Sequence, residues 1–187
     1  MFKNLVKGLF VLSTLFMLNC PAQAFYTDMD QNHWAYQSIK FLTEVGVVVG
    51  YPDGTYKPDI PVTRAEFASM AIKALGQEDA NVTQDIHFSD VKPDFWAYNI
   101  IKKAVYFDLI PDAKDSDFRP YDSVTRAEAI TIAVNALTTS QISEQRAQDI
   151  IAKSYEDYTQ MPAWFLISAA KAQLLDLVVV MPGNEGK

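Results

Sequence analysis

Apolar residues return at helical spacing in two kinds of segment, and each kind occurs twice at a constant distance along the chain. In the first kind, Ile39, Leu42 and Val45 predict a helix near 33–45, and Ile101, Ala104 and Val105 predict its counterpart near 95–107. Asn32 and Asp94 stand ahead of these helices as N-cap residues, since a short polar side chain there accepts from an otherwise unpaired amide. In the second kind, Thr63-Arg64-Ala65-Glu66 opens a helix as a capping box: Thr63 serves the N3 amide and Glu66 reaches back to the N-cap amide. Phe67, Met70, Ala71 and Leu75 give that helix an apolar stripe. Between the two kinds, Tyr51-Pro52-Asp53-Gly54-Thr55 reads as a turn, because proline fixes one dihedral, aspartate bonds its own backbone and glycine accepts positive φ. Ser143 caps a further expected helix near 144–153, and 77–86 reads as a polar linker. Five or six helices joined by short extended pieces make the expected fold mainly α.

The constant distance is 62 residues. At that offset His33-Trp34-Ala35-Tyr36 falls on Phe95-Trp96-Ala97-Tyr98, and Val62-Thr63-Arg64-Ala65-Glu66 falls on Val124-Thr125-Arg126-Ala127-Glu128. Asp28, Asp53 and Pro58 likewise meet Asp90, Asp115 and Pro120. Of 52 aligned positions 16 are identical and gathered in blocks, which argues for duplication over compositional accident. A third copy starts at Tyr155-Glu156-Asp157, passes through Trp164 and reaches Leu174-Leu175-Asp176-Leu177, matching Tyr106-Phe107-Asp108-Leu109 at an offset of 68. No third Thr-Arg-Ala-Glu follows before Lys187. The expected organisation is unit one at 25–86, unit two at 87–142, and a linker helix with a truncated third unit at 143–187. One shared core is expected, because a helical pair of about 60 residues buries little by itself.

Composition and charge narrow the classes. At 49% apolar against 21% charged residues the chain is globular rather than disordered. The first 24 residues carry Lys3 and Lys7 and no acid, which leaves nine net negative charges on the remaining 163. An acidic body argues against a nucleic-acid partner. Those 24 residues read as a secretory signal: a positive start, an uncharged, largely apolar run of 11 from Gly8 to Leu18, then Ala22-Gln23-Ala24 before a cut at Phe25. A run of 11 is too short to span a bilayer, so no membrane span is expected. Met17-Leu18-Asn19-Cys20 resembles the lipobox of bacterial lipoproteins, but Asn19 stands where a small residue is wanted, so acylation at Cys20 is the lesser alternative. After the cut the chain has no cysteine for a disulfide, thiolate or zinc site. His33 and His87 lack ligand spacing, and Asp112, Asp115 and Asp117 lack the glycine and closing glutamate of a calcium loop; no metal or cofactor is expected. Neither a nucleophile elbow nor a dinucleotide fingerprint appears, and no catalysis is expected.

Taken in order, the Trp-Ala opening, Gly50-Tyr51-Pro52-Asp53-Gly54-Thr55-Tyr56-Lys57-Pro58 and Val62-Thr63-Arg64-Ala65-Glu66-Phe67 resemble the S-layer homology (SLH) motif. The resemblance covers nearly all of the chain after its first 24 residues. It implies repeated loop-helix-loop-helix units around a pseudo-threefold helical core that binds cell-wall polymers non-covalently, pyruvate-bearing polysaccharides or modified peptidoglycan among them. It further implies that Arg64 and Arg126 help to recognise an acidic sugar, and that Gly50, Asp53, Gly54 and Trp34 occupy the family's loop and aromatic positions. In unit two the turn becomes Asp112-Ala113-Lys114-Asp115-Ser116-Asp117, without either glycine and with three acids near Arg126, so unit one is the preferred site.

The residues themselves leave alternatives open. Arg64 follows the Thr63 cap at a helix N-terminus, where unpaired amides, the helix dipole and a forked guanidinium favour a carboxylate. Its alternative is an ion pair with Asp53 or Asp59. Trp34, Trp96 and Trp164 are expected chiefly in the core, Trp34 being the candidate for stacking on a sugar, with Tyr51 and Tyr56 in reserve. The expected function is non-catalytic attachment of an exported protein to the cell wall or envelope, with a cell-wall polysaccharide or peptidoglycan-linked polymer as partner. The alternative is a protein-interaction or self-assembly module without glycan binding, in which Leu174, Leu175 and Val178 to Val180 serve as apolar surface for another copy or an envelope protein.

Overall fold

The computed structural model describes residues 26–110, 116–138, 140–156 and 158–177. Among them lie six helices, α1 (Tyr36–Glu44), α2 (Arg64–Ala74), α3 (Tyr98–Tyr106), α4 (Arg126–Leu137), α5 (Glu144–Ile151) and α6 (Ala163–Leu174), with one 3₁₀ turn at Tyr158–Gln160. Extended pairing among the described residues is confined to a single bridge between Thr63 and Ser123, so the fold is mainly α, as expected. The leader with Cys20, the acidic residues Asp112 and Asp115, and Val178 to Val180 lie outside the described residues.

The starts of α2 and α4 follow their sequence. Thr63 Oγ1 accepts from the Glu66 amide at 3.3 Å while the Glu66 carboxylate accepts from the Thr63 amide at 2.8 Å; Thr125 and Glu128 repeat this at 3.2 and 2.8 Å. Ser143 caps α5 by accepting from the Arg146 amide at 3.3 Å. The expected caps of α1 and α3 do not form. Their N-cap positions fall at Ala35 and Ala97, without a side-chain bond, and both helices are shorter than predicted. The preceding residues fold into a tight turn instead, with the Tyr36 amide donating to His33 O at 2.9 Å and the Tyr98 amide to Phe95 O at 3.0 Å. Asn32 spends its side-chain amide on Asp30 at 3.0 Å.

Four helices end alike: α2 stops at Gly76, φ 63°, with the Gln77 amide donating to Ile72 O at 3.1 Å, and α1, α3 and α6 follow the same pattern. Gly46, Asp108 and Asp176 sit at φ of 77°, 55° and 52°. The next residue, Val47, Leu109 or Leu177, donates back at 2.9 Å to Leu42, Ala104 or Ala172, the six-to-one bond of a Schellman stop. So α6 closes with the same device as α1 and α3, in step with the offset of 68 seen in the sequence.

Packing runs from unit to unit: α2 lies on α3 and α4, α4 on α6, and α5 on α6. The largest core joins Ala65, Ala68 and Ile72 of α2 to Ile101 and Ala104 of α3, Phe118, and Ile132 of α4. Unit one keeps a small cluster of its own, Met29, Ala35 and Ile39 with Tyr26, Tyr36 and Tyr56. The expected stripe of Phe67, Met70, Ala71 and Leu75 is only half-buried; α2 turns its small Ala65 and Ala68 inward because two helices press on it at once. The expectation of core tryptophans fails for Trp96 and Trp164, whereas Trp34 is the exposed exception that the sequence allowed. Trp34, Trp96 and Trp164 are 91%, 57% and 40% exposed, and in units one and two the inward place beside the tryptophan is taken by Ala35 and Ala97.

Candidate functional site

Units one and two each lock their last loop with an aspartate. Asp28 accepts from the Tyr56 and Lys57 amides at 2.8 and 2.7 Å, and Asp90 accepts from the Phe118 and Arg119 amides at 2.8 and 2.6 Å. Lys57 and Arg119 are thereby held left-handed at φ of 60° and 58°, a conformation that costs a non-glycine residue and needs such support. Tilted ring pairs brace the same loops, with centroids 5.2 Å apart for Tyr26 and Tyr56 and 5.5 Å apart for Phe88 and Phe118. The bonds to Asp28, led by that from Tyr56, hold its carboxyl below the usual range.

On this frame the Tyr51–Thr55 turn forms as the sequence dictates. Asp53 accepts from the Thr55 amide at 3.0 Å and from its hydroxyl at 2.6 Å, the hydroxyl contributing most to a lowered Asp53 pKa. Gly54, at φ of 82°, donates to Tyr51 O at 2.9 Å. Gly50 is required by crowding: a Cβ there would lie 2.0 Å from the Tyr26 ring and 2.6 Å from Thr55 O. The Lys57 ammonium stands 3.6 Å from Asp53 and 4.1 Å from the Tyr51 ring centre. Tyr51, Asp53, Gly54 and Trp34 are all exposed, so the turn and the tryptophan offer flat rings, a carboxylate and an ammonium to solvent.

Arg64 does not join that surface. It is 5% exposed, and its Nε donates to Phe118 O at 2.8 Å. Its Nη1 is ion-paired with Glu128, and its guanidinium lies 5.1 Å from the centre of the Phe118 ring. The expected partners Asp53 and Asp59 are replaced by a carboxylate of unit two. Arg119 Nη2 approaches the same Glu128 oxygen at 3.6 Å. The backbone repeats the join: the Arg64 amide donates to Asp122 O at 2.9 Å, Ala65 to Pro120 O at 3.1 Å, and Val124 to Val62 O at 2.9 Å. The N-terminus of α2 is therefore filled by unit two's loop, and Thr63 is occupied with its cap. Burial raises the Glu128 pKa, but the Thr125 amide and hydroxyl together with the charges of Arg64 and Arg119 outweigh it, leaving the carboxyl below the ordinary range. Arg126, the same residue of the next unit, is exposed and has no ion pair among the described residues.

The structure thus gathers Gly50, Asp53 and Gly54 at one turn, puts Arg64 and Thr63 in a join between units, and leaves Arg126 open. Glu128, Phe118 and Arg119 were missed by sequence reasoning. The identity of Asp28 with Asp90 across the repeat was the one signal that pointed to the loop locks. Among the described residues no helix is long and apolar enough to cross a membrane, and no three histidine, cysteine or acidic side chains converge as a metal site.

A family model for the S-layer homology domain matches residues 25–68 and 87–130. Cell surface glycoprotein 1 of Acetivibrio thermocellus is 38% identical over 120 residues, which cover 60% of this chain and 5% of that protein. The cellulosome-anchoring protein of the same organism is 35% identical over 115 residues, 60% of this chain and 26% of its own length. The surface layer protein of Brevibacillus choshinensis is 34% identical over 103 residues, 54% of this chain and 9% of its own length. The chain thus spans about a quarter or less of these relatives.

Proposed function

The chain belongs to the S-layer homology family through its two matched units, and on that footing we propose that it attaches non-covalently to the cell envelope by holding a cell-wall polymer. Its relatives carry the names of surface, surface-layer and anchoring proteins, which supports a place at the cell surface. The observation that carries the contact is Trp34, a tryptophan 91% exposed in the same unit as a turn that presents Tyr51 and Lys57. Flat rings stack on the apolar faces of sugars, and an ammonium pairs with an acidic substituent, so an acidic or pyruvylated glycan suits this surface. Asp53, Gly54 and Gly50 shape the turn. Arg64 and Thr63 serve the site by fixing unit one against unit two rather than by touching the ligand. The binding needs no chemical step, and the reading is of a binding module rather than an enzyme.

Co-sedimentation with purified wall sacculi tests this, before and after chemical removal of the attached polymer, with the Trp34→Ala variant alongside. Binding lost in both controls supports the reading. Failure to sediment with intact sacculi overturns it, and leaves the assembly reading, for which the exposed Leu174, Leu175 and Leu177 speak.

A further inference from the structure

We propose that the chain associates head to tail with a second copy of itself, Arg126 of one copy entering the 56–66 segment of the other. The inference does not rest on wall binding. Its template lies inside the molecule, in the contact between units one and two. There the Arg64 and Ala65 amides donate to Asp122 and Pro120 carbonyls, the Val124 amide donates to Val62, and the Arg64 side chain takes the Phe118 carbonyl and Glu128.

Moved along the chain by the 62-residue repeat, every partner in that contact has a counterpart, one set on unit two and the other on unit one. On unit two these are the amides of Arg126 and Ala127, the carbonyl of Val124 and the Arg126 guanidinium. On unit one they are the carbonyls of Tyr56, Pro58 and Ile60, the amide of Val62 and the carboxylate of Glu66. Among the described residues none of those backbone groups has a hydrogen-bond partner. Glu66 is divided as Glu128 is: one oxygen caps the helix through Thr63, and the other, the counterpart of the oxygen that takes Arg64, is open. Both sets reach the surface, with Arg126 exposed and Ile60 54% exposed. An exposed cation with unpaired donors on one side, and a carboxylate with unpaired carbonyls on the other, are complementary in charge and in register. Such a contact joins unlike patches, so its products are closed rings or chains.

Sedimentation velocity across a wide concentration range, on the chain purified from an exporting host, provides the test. A larger species that grows with concentration is expected, and Arg126→Glu weakens it by about tenfold or more. That variant keeps its fold, because an acidic residue suits the first turn of a helix. Glu66→Gln, which retains the cap, weakens association in the same direction. To fix the register, copies carrying Pro58→Cys are mixed with copies carrying Ala127→Cys, which leaves Arg126 in place; the template sets this pair where Ala65 and Pro120 are hydrogen-bonded. A disulfide joining 58 to 127 between chains, faster in the mixture than in either copy alone, supports the proposal. A monomer at every concentration overturns it, as does an oligomer indifferent to Arg126→Glu.

Discussion

Removing the charge from Glu128 should loosen unit one from unit two more than any change on the exposed turn. Glu128→Gln keeps an N3 side chain able to serve the Thr125 cap, so the loss isolates the ion pair. It strands the Arg64 guanidinium, 5% exposed, with only the Phe118 carbonyl at 2.8 Å and the Phe118 ring for company. An uncompensated buried charge costs about 3–5 kcal/mol. Arg64→Met should cost less, about 2–3 kcal/mol, because Glu128 retains Arg119 at 3.6 Å and the Thr125 bonds. Arg119 is half exposed and offsets only part of the loss. In the double variant neither charge is stranded, so its cost should fall short of the sum of the two by about 1–3 kcal/mol. Urea unfolding followed by helical circular dichroism reads all three, and for a chain of this size Glu128→Gln should also lower Tm by about 10 °C. Single variants costing under about 1 kcal/mol, or costs that simply add, would refute the account of Arg64 as the join between units.

The remaining predictions use the same methods. Because the folded pKa of Glu128 is depressed, its contribution is present above the unfolded value of about 4.3 and is lost as pH falls through the lower folded value; stability should drop in that acid window, less steeply in Glu128→Gln. Asp90→Asn should cost about 1.5–3 kcal/mol by weakening the bonds to Phe118 and Arg119, and more than Asp28→Asn, because the Phe118 carbonyl it positions also holds Arg64. Gly50→Ala should destabilise by about 1–3 kcal/mol through the clash with Tyr26 and Thr55, whereas at Gly54 the nearest atom is 3.8 Å away and only the left-handed φ opposes alanine. Trp34→Ala should leave the urea midpoint nearly unchanged while lowering co-sedimentation with sacculi; a large stability loss would return Trp34 to the core.

What the sequence made legible is what each unit does within itself. The capping boxes at Thr63 and Thr125, the Asp53-Gly54 turn and the Ser143 cap all join residues a few positions apart, and local chemistry determines them. The fates of Arg64, Trp96 and Trp164 were hidden for a different reason. Aligning the repeat at 62 sets Arg64 upon Arg126 and Glu66 upon Glu128, like upon like. The contact that forms runs from Arg64 to Glu128, between the start of one unit's helix and the third residue of the next unit's helix, so it crosses the alignment rather than following it. The same crossing explains why α2, read as an amphipathic helix with one apolar stripe, buries its alanines between α3 and α4. It also separates two residues that the sequence treats as equivalents. Arg64 is closed because a following unit supplies Glu128, the Phe118 carbonyl and the loop carbonyls; Arg126, with the same neighbours in sequence, is open because no described residue supplies them. The role of a repeated arginine is thus set by the unit that follows it, which local sequence does not encode.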